Sequence, residues 1–247
     1  LGNGTIAGVA TAIAIGGPGA AAWLLMVGFL LMSVRFAEVF LSIYFGLQAP
    51  TGTQVGGPML YLTKVPGGAY LPYVYAACCF VYGLVGANGF QTNSITLSIQ
   101  TAFGTSSYVI GACILVFVIY TIVGGARRIL SVSEKIIPLK IGIFIAATII
   151  ILIYHHAAII PSLKLMFISA FSYTALAGGV IGYTISQAMR IGIVKIVMAS
   201  EAGLGTSAII FGGTKSKEPV QDAIMSMLST CITTTISFTL ALCLIMS

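Results

Sequence analysis

Seven apolar runs, almost free of charge, take up most of this chain. They lie at 2–15, 20–45, 70–100, 108–123, 133–154, 161–198 and 220–247. A bilayer core holds no water to satisfy backbone N–H and C=O groups, so only helices or closed barrels cross it. Continuous apolar runs of this kind predict helices. Charged residues make up 6% of the chain, against about 25% in a soluble domain. The chain therefore reads as an all-α integral membrane protein with about seven transmembrane helices, multi-pass in a cell membrane and in contact with lipid. Its five cysteines lie in apolar runs without metal-ligand spacing, which predicts small buried side chains.

The few charges set the orientation. With the first helix running outward from the cytoplasm, Arg35, Lys64, Arg127, Arg128, Lys135, Lys140, Arg190, Lys195, Lys215 and Lys217 fall at cytoplasmic ends, and only Lys164 falls outside. Cytoplasmic loops carry the excess of Lys and Arg, so this count selects the orientation and supports seven crossings. The net charge of +6 thus reports topology and gives no reason to expect nucleic acid as a partner.

Two of the runs contain glycine breaks. In Phe171–Met198, Gly178, Gly179 and Gly182 fall close together. Each costs a helix about 1 kcal/mol relative to alanine, so this is where the helix is expected to open. The counterpart is Gly2-Asn3-Gly4-Thr5 at the start of the first run. Paired Gly-interrupted segments point to a transporter's binding site, and the two stretches are expected to face each other around a small substrate. Helix packing is the plainer reading: Gly4, Gly8, Ala12 and Gly16 also form a smooth strip along the first helix. The first and sixth helices cross in opposite directions, the relation expected of an inverted repeat of five helices. The chain is then one transporter domain, with a first repeat over about 1–156 and the start of a second over about 161–247. It starts at Leu1 and stops in an apolar run at Ser247, which reads as a fragment of a longer protein.

Polar side chains inside the runs are the other candidates. Gln91 and Asn93 sit in the polar second half of the third run, as substrate contacts or as interhelical glue. Arg35 and Glu38 share a helix face and could pair, anchoring the span's end rather than relaying protons. His155 and His156 point to different faces and fit a solvated loop. Thr230, Thr233, Thr234 and Ser237 fall on one side of the last run, where hydroxyls bond back to helix carbonyls or to a neighbouring helix, with a cation site as the alternative. Residues 46–68, 124–132 and 199–219 read as loops.

Several of these segments are together recognisable. Gly4–Ala10 with Gly16-Gly17-Pro18-Gly19, Gly56-Gly57-Pro58-Met59, Gln91-Thr92-Asn93-Ser94-Ile95, Gly124-Gly125 with Arg128-Ile129, and Ser200-Glu201-Ala202-Gly203-Leu204-Gly205 resemble, in order and spacing, the sodium:alanine symporter family. The resemblance implies the leucine-transporter type of fold, a five-plus-five inverted repeat with alternating access. It implies sodium-driven uptake of alanine or glycine, with sodium as the co-transported ion, no cofactor and no catalysis. The family's first broken helix reads Gly-Thr-Gly-Asn-Ile, so here Asn3 and Thr5 are exchanged. Its glycine break carries Phe where this chain has Val180. The candidate substrate contacts are Asn3, Gly4, Thr5, Gln91, Asn93, Gly178, Gly179, Val180 and Gly182, and the sodium ligands are expected largely on a helix beyond Ser247. A half-helix N-terminus suits a carboxylate, and unwound carbonyls suit sodium or an ammonium group. A proton-coupled carrier or a channel would need carboxylates in the spans, where only Glu38 comes near. A truncated remnant without transport is the other alternative.

Overall fold

The computed structural model describes residues 3–48, 54–171, 179–213 and 218–246. Helices α1 (Asn3–Gly16) and α2 (Gly19–Tyr44) form an antiparallel pair joined by a two-residue turn. Gly17 makes that turn with φ of +70°, and its N–H reaches the Ile13 carbonyl at 2.9 Å. Glycine takes this left-handed conformation without the Cβ penalty, which is why the Gly-Gly-Pro-Gly run ends one helix and starts the next.

The stretch after α2 carries more structure than a loop. Leu47–Gln48 (β1) pairs antiparallel with Gln54–Val55 (β2), and a short helix α3 (Pro58–Tyr61) with a 3-10 turn (Leu62–Lys64) follows. Helix α4 (Leu71–Val81), a π-helical turn (Tyr82–Ala87) and α5 (Asn88–Phe103) then run on as one long helical stretch. The Asn88 amide donates to the Gly83 carbonyl at 2.6 Å, satisfying an acceptor of the widened turn.

Helix α6 (Ser107–Val123) is followed directly by α7 (Gly125–Tyr154). Residues 125–132 are thus helical, which corrects the expected loop. The polar start of α7 is held by Arg128, which folds back over α6: its Nη1 donates to the Tyr120 carbonyl at 3.1 Å, and its guanidinium lies 4.9 Å from the Tyr120 ring centroid. Helices α8 (Ile159–Phe171) and α9 (Gly179–Ser200) flank residues 172–178, which lie outside the described residues. The short α10 (Thr206–Gly212) interrupts the expected loop at 199–219, and α11 (Pro219–Met246) closes the described chain.

By length and composition, Gly19–Tyr44, Arg128–Tyr154 and Pro219–Met246 are long and apolar enough to cross a membrane, while Thr5–Gly16, Leu71–Leu84, Ser107–Val123 and His156–Phe171 are shorter apolar helices. The core gathers Val9, Leu24, Met166, Ile196 and Leu242, from α1, α2, α8, α9 and α11. Helices α4 to α7 leave most of their apolar surface exposed. This corrects the expectation for the cysteines: Cys78 and Cys113 are exposed, Cys79 and Cys231 half-buried, and only Cys243 is buried. Composition does not distinguish a cysteine facing outward from an apolar helix from one facing the core.

Lipid is as apolar as leucine, so helices in a membrane gain little from burial alone and depend on close contact at small residues. Gly192 of α9 lies so near α2 that a Cβ there would sit 2.7 Å from the Ala20 carbonyl oxygen. A Cβ on Gly19 would meet the Ser169 carbonyl of α8 at 2.7 Å, and one on Gly28 would fall onto the Thr234 side chain of α11. Gly28→Val should lower the unfolding midpoint of the full-length protein in detergent by the equivalent of about 1–3 kcal/mol or more, and pairing Gly28→Ala with Thr234→Ala should cost less than Gly28→Val. An unchanged midpoint in Gly28→Val would contradict the close approach.

Candidate functional site

The glycine contacts also fix how the helices are staggered. Gly8 lies opposite Lys195, and Gly16 opposite Ala188 and Ile191, so α1 runs antiparallel to α9. Gly192 lies against Ala20 and Trp23, while Gly205 meets Glu38, so α9 and α2 run side by side in the same direction. Stepping one turn from Gly8 places Thr5 at about the depth of Met198 and Gly28, given a rise of about 1.5 Å per residue.

This stagger separates the two glycine stretches. Asn3, Gly4 and Thr5 form the first turn of α1, beside the C-terminal end of α9. Gly179, Val180 and Gly182 lie in the first turn of α9, about 24 Å from the depth of Thr5 along the helix axis. That exceeds the span of an alanine several times over, so the described packing does not bring the two stretches together around one small molecule. The expected facing geometry follows from composition alone, and composition does not report stagger. Gly178 lies outside the described residues. Gln91 and Asn93 are exposed on α5, which packs against both α1 and α6.

Where α1, α2 and α11 meet, the sequence understated the chemistry. Of the hydroxyls on α11, Thr233 bonds back to a carbonyl one turn earlier at 2.9 Å, as expected, and Thr235 and Thr239 do the same at 2.9 and 2.8 Å. Thr230, Thr234 and Ser237 do not: all three are fully buried, and their hydroxyl oxygens have no hydrogen-bond partner. The same is true of Thr5 on α1. Thr234 faces Gly28, so Thr5 and Thr234 sit at one depth, and α1 packs on α11. An unpaired buried hydroxyl costs about 1–3 kcal/mol, so several together form a concentration of unused oxygen acceptors.

A second polar assembly closes the other end of α2. Here the Ser200–Gly205 motif leaves α9 in a tight turn with positive φ at Glu201 (55°), Gly203 (92°) and Gly205 (76°). Its Gly205 N–H donates to Glu38 Oε1 at 2.9 Å, and the Gly203 amide faces the same carboxylate. Tyr75 of α4 donates its hydroxyl to the Leu204 carbonyl at 2.9 Å, and Ser42 of α2 donates to the Ala208 carbonyl. A Cβ on Gly205 would stand 2.6 Å from Pro58. Burial, with the nearby Glu38 charge, pushes the Tyr61 phenol up to about 12, so it keeps its proton at neutral pH. Arg35 is buried beside this cluster within electrostatic reach of Glu38 and Glu201, yet its Nε and Nη1 and Glu38 Oε2 have no hydrogen-bond partner. The expected anchoring role of Glu38 holds, but its partner is the turn. The signal in the sequence was a carboxylate more than a turn inside a span, together with a Glu-Ala-Gly-Leu-Gly run.

The family model for the sodium:alanine symporter family matches residues 1–247. The chain belongs to this family. It is 32% identical over 244 residues to the sodium/alanine symporter AgcS of Methanococcus maripaludis, covering 97% of this chain and 53% of that protein. It is 31% identical over 208 residues to the amino-acid carrier protein AlsT of Bacillus subtilis, covering 84% and 43%. A third relative, named "Probable sodium/glutamine symporter GlnT" in Bacillus subtilis, is 29% identical over 227 residues, covering 91% and 46%. The chain spans about half the length of the curated relatives it matches. Membership in this transporter family and the apolar helices make it a multi-pass cell-membrane protein of an amino-acid:cation symporter family.

The stagger is directly measurable. Spin labels at Asn3 and Gly182 of the full-length protein should report a separation of about 25 Å or more, and labels at Asn3 and Ser200 a much shorter one. A short Asn3–Gly182 distance would restore the facing arrangement of the glycine stretches.

Proposed function

We propose that the protein to which this chain contributes is a sodium-coupled symporter of a small neutral amino acid, alanine or glycine, working by alternating access in a five-plus-five inverted repeat. Residues of about 1–156 supply the first repeat and about 161–247 begin the second. The observation that carries the sodium reading is the set of partnerless buried hydroxyls of Thr5, Thr230, Thr234 and Ser237. Sodium is a hard cation that takes oxygen ligands, and neutral hydroxyls can hold it without a fixed counter-charge. Glu38 lies away from this group, at the other end of α2, where its Oε1 is engaged by the Gly205 amide, so the acceptors around Thr234 are neutral hydroxyls.

In this reading the amino acid lies against the first turn of α1. Its carboxylate meets the backbone at Asn3, Gly4 and Thr5, where a break in the helix would favour an anion. Gln91 and Asn93 of α5, which packs on α1, supply amides from the side. Without a side chain, Gly4 lets a ligand lie directly against the backbone, in keeping with alanine or glycine. The name of AgcS, a sodium/alanine symporter, supports this choice, while that of GlnT marks how far substrates differ among relatives.

The full-length protein in proteoliposomes should take up labelled alanine in an inward sodium gradient, and uptake should collapse when potassium or choline replaces sodium. Bulky amino acids should compete poorly. Equal uptake in all three cations would overturn sodium coupling.

A further inference from the structure

The turn that Glu38 holds is also one wall of a cavity. A space of about 240 Å³ lies between α4 and the turn, lined by Tyr75, Cys78, Cys79, Tyr82, Gly203, Leu204 and Thr206. It sits just before the π-helical turn at Tyr82–Ala87. The positive-inside distribution assigns this end of α2 to the cytoplasm. Three polar contacts keep the wall in place: Glu38 to Gly205, Tyr75 to Leu204 and Ser42 to Ala208. None is covalent, and the apolar packing at this end of α2 joins Val39 and Ile43 to Phe211 of α10 and Ala223 of α11 rather than to the Gly203–Thr206 turn itself.

Glu38 also has a second partner within reach. Arg35 lies three residues earlier on the same helix, at a spacing where opposite charges meet. Its Nε and Nη1 are unused, and so is Glu38 Oε2. A carboxylate with two available arrangements is what a reversible latch requires. From this geometry we infer that Glu38 is a positioning residue for transport: it holds the Gly203–Thr206 turn as a removable wall between the cavity and the cytoplasm. In the closed arrangement Glu38 binds the Gly205 amide. In the open one it turns to Arg35, the turn moves away, and the cavity joins the cytoplasm. The left-handed residues Gly203 and Gly205 localise the bend at the latch.

This inference rests on the transporter reading, but its test does not require transport. The full-length protein, with every cysteine except Cys79 replaced, is treated in inside-out vesicles with a membrane-impermeant maleimide. Half-buried Cys79 lines the cavity and should react slowly in the parent protein. Glu38→Ala should speed its labelling at least about tenfold from the cytoplasmic side, the factor expected for losing a charge-assisted hydrogen bond, with Glu38→Gln intermediate. A parallel cysteine-free background carrying Thr63→Cys, exposed in the cytoplasmic 3-10 turn, should show no change. If Glu38→Ala does not fold, Ser42→Ala, which removes the bond to Ala208 without touching Cys79, should also speed Cys79 labelling. An unchanged Cys79 rate in a folded variant, or an equal rise at Thr63→Cys, would overturn the latch. Absence of sodium-driven uptake in the parent protein, with labelling as expected, would count against the transporter reading alone.

Discussion

Close backbone approach at glycine is the constraint on which the rest of this structure depends. In lipid, apolar side chains gain little from leaving one neighbour for another, so tight contact must come from shape. Gly192 brings α9 onto α2, Gly19 brings α2 onto α8, and Gly28 brings α2 onto α11. Each contact replaces a side chain with a neighbouring backbone or hydroxyl. The same contacts set the stagger of the helices, and the stagger decides which polar groups meet. Thr5 comes level with Thr234 because Gly8 is opposite Lys195 and Gly192 opposite Ala20.

That packing divides the polar chemistry of the bundle in two. In the interior, hydroxyls from α1 and α11 are buried without a protein hydrogen-bond partner, which leaves their oxygens open to a ligand. At the end of α2, one oxygen of a buried carboxylate is held by a backbone amide of a turn far away in sequence. The first arrangement suits a guest that comes and goes. The second suits a joint, because it ties a short turn to the face of a long helix.

Much of the helix order was legible in the sequence, because apolar runs and Gly-Pro punctuation report it directly. The turn at Gly17 and the span of α2 fell where the residues place them. The start of α7 did not, because Arg, Ser and Glu read as a loop until Arg128 is seen folding back onto Tyr120. The π-helical turn at Tyr82–Ala87 has no compositional mark. At the candidate site, residue types were readable but partners were not. Glycine counts flagged both Gly4 and Gly182 without stating their depth, and Glu38 was noticed without its turn. Thr234 and Thr233 look alike in sequence, and only packing separates the one that bonds its own helix from the one that does not.

That last contrast offers the most direct test. Sodium binding to the purified full-length protein can be measured with radioactive sodium in Thr234→Val and Thr233→Val, two isosteric changes one residue apart. If the buried hydroxyls hold the ion, Thr234→Val should weaken sodium binding at least about tenfold, as expected when a buried polar contact is lost, while Thr233→Val should leave it within about twofold. Equal sodium affinity in both variants and in the parent would contradict the account.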